Sequence, residues 1–158
     1  MTAYVDASVI LRIALGQANA LKEWSKIQRG VSSTLIATEC LRTLDRLRLR
    51  ARLSDSDVAT RRETTLSLIA SLELVELDAT VLDRASQPMP TEIGTLDAFH
   101  LATALLWKEM TAEAITMATH DEGLGLSARA WAARRGTLQA NGWLTKSLPT
   151  EASQSFQA

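Results

Sequence analysis

Thr2-Ala3-Tyr4-Val5-Asp6-Ala7-Ser8-Val9-Ile10-Leu11 is the stretch from which the fold is read. Its first residues form a short β-prone run that ends in Asp6. Ala7-Ser8 then opens an apolar segment over 9–15, broken by Arg12, whose spacing suits a helix stopping near Gly16. Outward from this unit the same alternation repeats. Residues 21–28 read as a helix ended by Gly30, and 31–34 as a strand. Residues 35–53 form the clearest helix, with Leu41, Leu44 and Leu47 along one side. Ser54-Asp55-Ser56-Asp57 offers caps for a helix reaching about residue 72, 74–77 read as a strand, and Asp78 caps a short helix over 79–86. Pro88 and Pro90 mark a loop. A helix over 96–110, a strand over 113–118, a helix over 126–135 ended by Gly136 and a last strand over 137–140 complete the series. Strands alternating with helices predict a parallel sheet covered on both faces.

The chain has 158 residues, and one domain over 1–146 with a polar, frayed tail over 147–158 is the expected organisation. A chain of this length buries enough surface to need no disulfide or structural metal, and Cys40 is the single cysteine, expected as a small packed residue. With 46% apolar and 22% charged residues the composition is that of a soluble globular protein. No apolar run is long enough to span a membrane, and the N-terminus lacks a basic leader, so a cytoplasmic protein is expected. The net charge of −1 supplies no global field for nucleic acid, so any RNA contact must be local. No zinc-type His/Cys array, glycine-rich phosphate loop or Gly-x-Ser-x-Gly nucleophile signature is present.

Four acids are placed where chemistry is expected. In open α/β folds ligands bind beyond the carboxyl ends of the strands. Asp6 follows the first strand and Asp121 the strand ending near Ala118, while Glu39 and Asp97 lie near helix starts, so all four can converge at one sheet edge. Crowded carboxylates repel unless cations intervene, and hard oxygen donors suit magnesium or manganese, which activate water for phosphodiester cleavage. Against this, an acid after a strand or at a helix start is often only a cap. Arg42, Arg46 and Arg50 step by four along one helix face near Glu39, either as a phosphate-binding stripe or as a solvated face with a Glu39–Arg42 pair. His100 lies one turn after Asp97 and is expected as a hydrogen-bonded histidine beneath the site, with His120 as a loop residue. The four tryptophans, Trp24, Trp107, Trp131 and Trp143, are expected in the core or at an interface.

Several blocks carry a resemblance. Tyr4-Val5-Asp6-Ala7-Ser8 resembles the opening motif of PIN domains, and residues 33–42 around Glu39 their second acidic motif. Thr95-Leu96-Asp97-Ala98-Phe99-His100-Leu101-Ala102-Thr103-Ala104 is very similar to their third, and Thr119-His120-Asp121-Glu122-Gly123-Leu124 to their fourth. The subgroup it looks most like is the VapC-type toxins of toxin–antitoxin pairs. The resemblance implies a three-layer α/β/α fold with a central parallel sheet and hydrolysis of RNA with Mg2+ or Mn2+. It also implies a cognate antitoxin that blocks the site, and a homodimer. Carried over residue by residue, it makes Asp6, Glu39, Asp97 and Asp121 the catalytic set, with metal at Asp6, Asp97 and Asp121. Ser8 and Thr119 then orient a carboxylate, water or phosphate. Ile93-Gly94-Thr95 stands where many relatives carry a basic residue, and Glu122 is placed to substitute for or assist Asp121. Two alternatives stay open: a metal-dependent phosphatase with Asp6 as nucleophile, although Ser8 stands where that chemistry wants a second Asp, and a catalytically silent PIN-like binding module.

Overall fold

The computed structural model describes residues 1–18, 20, 22–50, 53–135 and 144–145. The elements run β1 (Thr2–Val5), α1 (Ala7–Ala14), a 3-10 turn (Lys22–Lys26), β2 (Arg29–Ser33), α2 (Leu35–Leu49), α3 (Asp55–Ala70), β3 (Glu73–Val75), α4 (Ala79–Ala85), α5 (Thr95–Thr111), β4 (Thr116–Thr119), α6 (Glu122–Arg135) and β5 (Leu144–Thr145). Every strand pairing is parallel, in the order β3-β2-β1-β4-β5, the last a two-residue edge strand.

β1 lies at the centre of this order, and its alternation shows why. Ala3 and Val5 point into a core shared with Val9, Ile10, Ile36, Cys40 and Ile69 of α1, α2 and α3. Tyr4 points the other way, into a core with Val31, Leu101, Leu105, Met117 and Leu124, built largely from α5 and α6. Side chains of a strand alternate between faces, so a strand covered by helices on both sides must be apolar at nearly every position. The result is the three-layer α/β/α arrangement expected from the sequence.

The chain order places the site. From β1 the sheet grows outward through β2 to β3, then returns to add β4 on the other side of β1. The crevice between β1 and β4 is thus a topological switch point, where ligands of open α/β sheets bind beyond the strand C-termini. Because β1 and β4 are parallel, with Val5 opposite Ala118, Asp6 and Thr119 emerge at the same edge.

Some boundaries differ from the sequence reading. The segment read as a helix over 21–28 is a 3-10 turn, and Gly30 lies inside β2 instead of ending a helix. A side chain at Gly30 would collide with Leu72, so the glycine serves a close approach of strand and helix end. α6 begins at Glu122, four residues before the expected start, which makes Asp121 a cap. The expected strand over 137–140, the tail over 147–158 and Trp143 lie outside the described residues.

Candidate active site

Asp6 is 5% exposed at the end of β1 and caps α1, its Oδ1 accepting from the Val9 amide at 3.3 Å. Ser8 Oγ donates to the same Oδ1 at 2.6 Å, and Thr119 Oγ1 donates to Oδ2 at 2.7 Å. Each hydroxyl is itself aimed by backbone: the His120 amide donates to Ser8 Oγ, and the Asp121 amide to Thr119 Oγ1. Asp121 is exposed and caps α6, its Oδ1 accepting from the Leu124 amide at 2.8 Å. The expected supporting residues, Ser8 and Thr119, therefore form the bridge between the β1 and β4 ends. Burial pushes the Asp6 carboxyl up, against the hydrogen bonds from Ser8 and Thr119 that lower it. The amides at the start of α1 also favour its negative form.

Asp97 sits on the first turn of α5, one turn beyond its cap Gly94. Partial burial and then the neighbouring Asp121 raise it to about 6, with smaller raising contributions from Asp6 and Glu39. Asp121, Asp6 and Glu39 thus lie near enough to Asp97 for their charge to act on it. Asp121 is the neighbour that acts on Asp97, while Glu122 is exposed on the first turn of α6. Glu39, on the second turn of α2, accepts a 2.7 Å hydrogen bond from His100 Nε2.

Residues 3–134 match the family model described as PIN domain. The chain belongs to the PIN domain family. A similar protein is Ribonuclease VapC46 of Mycobacterium tuberculosis, 35% identical over 104 residues that cover 64% of this chain and 72% of that one. The match makes this a VapC-type PIN domain.

Within this PIN domain the cluster presents only oxygen donors. Asp6 Oδ2, which accepts one hydrogen bond, retains acceptor capacity, and Asp97 carries no hydrogen bond on its carboxylate among the described residues. That donor chemistry, with the charge of neighbouring acids raising Asp97, fits a hard divalent cation. Among the described residues, however, no three His, Cys, Asp or Glu side chains already stand in an arrangement that would hold an ion. The acids form an open cluster.

The arginine stripe is exposed but paired differently from expectation. Arg42 bonds Asp45 at 3.3 Å and Arg46 bonds Thr43 at 2.8 Å, while Glu39 bonds His100. Cys40 is fully buried and its thiol is pushed up to about 12 by burial, which makes it a packing residue. Trp107 is buried with its indole N–H on Glu73, and Trp24 and Trp131 pack against the two cores. One participant was not singled out from sequence: Tyr4, whose hydroxyl meets His100 Nδ1 at 2.9 Å. The available signal was a tyrosine in an otherwise apolar central strand, since a buried phenol needs a partner.

Proposed function

We propose that this protein is a metal-dependent endoribonuclease, the toxin of a toxin–antitoxin pair, hydrolysing RNA at the carboxylate cluster between β1 and β4. The observation that carries this reading is the placement of Asp6 and Asp121 at the C-termini of adjacent parallel strands, with Asp97 close enough to feel their charge. It is supported by the name of the similar mycobacterial protein, a ribonuclease. Asp6, Asp97 and Asp121 would hold Mg2+ or Mn2+, with Glu39 completing the catalytic set. The ion, when bound, offsets the crowded negative charge and supplies an activated water and a Lewis acid for the phosphodiester.

The chain's own residues do the positioning. Ser8 and Thr119 lock both oxygens of Asp6, so its orientation does not depend on the ligand. Two helix starts, at α1 and α6, aim backbone amides at Asp6 and Asp121. The same locking of Asp6 speaks against the phosphatase alternative, in which Asp6 would have to attack phosphorus. Total RNA incubated with the purified protein should be shortened in Mg2+ or Mn2+. A phospho-enzyme at Asp6 without RNA cleavage would support the phosphatase instead, and neither outcome would support the silent binding module.

RNA contact is assigned to Arg42 and Arg46. Their pairs are surface contacts between residues three apart, which contribute little and yield readily to phosphate. Replacing both by Ala should raise KM for RNA while kcat stays near wild type. The slope of log affinity against log salt should shrink by ~0.7 per lost phosphate contact. An unchanged salt slope would return the stripe to solvated surface.

The reading includes a cognate antitoxin that lays an Arg or Lys into the acidic cluster, a homodimer and a cytoplasmic setting. No helix among the described residues is long and apolar enough to cross a membrane. Co-purification with the product of a neighbouring gene, followed by light scattering, should show a complex built on a dimeric toxin. Reversing the charge of the inserted residue should release it. A complex indifferent to that reversal would contradict the contact.

A further inference from the structure

Among the acids, Glu39 is held differently from Asp6 and Asp121. Asp6 and Asp121 are fixed by backbone amides at helix starts. Glu39 lies inside the second turn of α2, where backbone amides are consumed by the helix itself, so only a side chain can orient it. That side chain is His100 of α5, 2% exposed, at 2.7 Å from Glu39 Oε2. Behind it, Tyr4 of β1 is fully buried, with its hydroxyl 2.9 Å from Nδ1 and its ring edge-on to the imidazole, centroids 5.8 Å apart.

The direction of the bonds follows from chemistry. A lone pair on Nε2 facing a carboxylate would repel it, so Nε2 carries hydrogen and donates to Glu39 in either charge state of the ring. A phenol keeps its proton at neutral pH, so the Tyr4 hydroxyl can donate to Nδ1 of a neutral ring. Asp6 lies two residues beyond Tyr4 on the same strand, so a single connected path ties β1, α5 and α2 together under the cluster.

Resting on the ribonuclease reading above, we propose that His100, backed by Tyr4, is a positioning residue that holds the Glu39 carboxylate toward the other acids. Held this way, Glu39 would add its carboxylate to the three that hold the ion, and partners that orient such a group through a hydrogen bond usually cost about 10–100-fold when removed. The role differs from that of a core histidine, whose loss would disturb stability alone.

The test compares His100→Leu, which keeps bulk and removes the donor, with His100→Gln, whose amide can place an N–H near the Nε2 position. Mn2+ affinity, read from free-ion electron paramagnetic resonance, should fall about 10–100-fold in His100→Leu and recover most of that in His100→Gln. kcat for RNA should fall in step with little change in KM. On a Glu39→Ala background, His100→Leu should add almost nothing, because two residues acting through one contact are not additive. Tyr4→Phe deletes a single oxygen, and a several-fold loss of Mn2+ affinity is expected there even if His100→Leu does not fold. Equal losses in the Leu and Gln variants, a full additive loss on the Glu39→Ala background, or an unaltered affinity in Tyr4→Phe would overturn the proposal. A wild type that binds Mn2+ yet cuts no RNA would remove the ribonuclease reading and leave the Mn2+ comparison to decide this one. A wild type that takes up no Mn2+ would remove both.

Discussion

Asp6→Asn is expected to lower RNA cleavage by more than about 100-fold, beyond the range usual for residues that only support a metal ligand. Asn keeps the shape of Asp and remains a good helix cap, so the Val9 amide and the Ser8 hydroxyl still find an acceptor. Thr119 can rotate its hydroxyl to accept from the new amide. The change therefore removes negative charge with little loss of local bonding. Removing a buried carboxylate that burial already disfavours should leave stability within about 1 kcal/mol of wild type. Single-turnover cleavage and a thermal melt of the same sample check both halves. A variant that cuts RNA as fast as wild type would mean that Asp6 is only the cap of α1.

Asp97→Asn is expected to act in opposite directions with and without metal. In the metal-free protein Asp97 is raised from 3.8 to about 6 by burial and then by its acidic neighbours. A group whose folded pKa lies above its unfolded one binds more protons when folded. Stability therefore falls as pH rises through the window from about 4 to about 6, and at neutral pH the whole penalty is present. Two units would correspond to about 3 kcal/mol, but Asp97 is only partly buried, and solvent screening reduces this to about 1 kcal/mol. For a chain of this size that is ~2–4 °C. In EDTA at pH 7, Asp97→Asn should melt higher than wild type by roughly that amount, and the advantage should vanish near pH 4. In saturating Mn2+ the order should reverse, because the wild type gains RT ln(1 + [L]/Kd) from a site that the variant has lost. A variant that melts lower in EDTA and gains as much from Mn2+ would make Asp97 a structural residue of the first turn of α5.

The parts that could be read from sequence are those set by local pattern. The strand Thr2–Val5, the apolar start of α1 and the leucines recurring at threes along α2 announce themselves by period and composition. Asp6 and Asp121 were legible because each follows a strand, where topology puts ligands. The structure adds that both also cap helices. Less legible were features fixed by tertiary packing. Gly30 reads as a helix stop from its neighbours, but its place is decided by Leu72, some forty residues away. Glu39 reads as a partner for Arg42, one turn on. Only the packing of α5 against the sheet reveals that His100, sixty-one residues distant, takes it. Tyr4 falls in the same class, since its hydroxyl partner is set by the docking of α5 on β1.

The central claim is that the carboxylates gathered between β1 and β4 cleave RNA with a divalent ion. The most direct measurement is the cleavage rate of an end-labelled RNA by purified wild-type protein, first in Mn2+, then after excess EDTA, then after Mn2+ is restored. Cleavage should stop in EDTA and return with Mn2+. Cleavage that continues at the same rate in EDTA would contradict it.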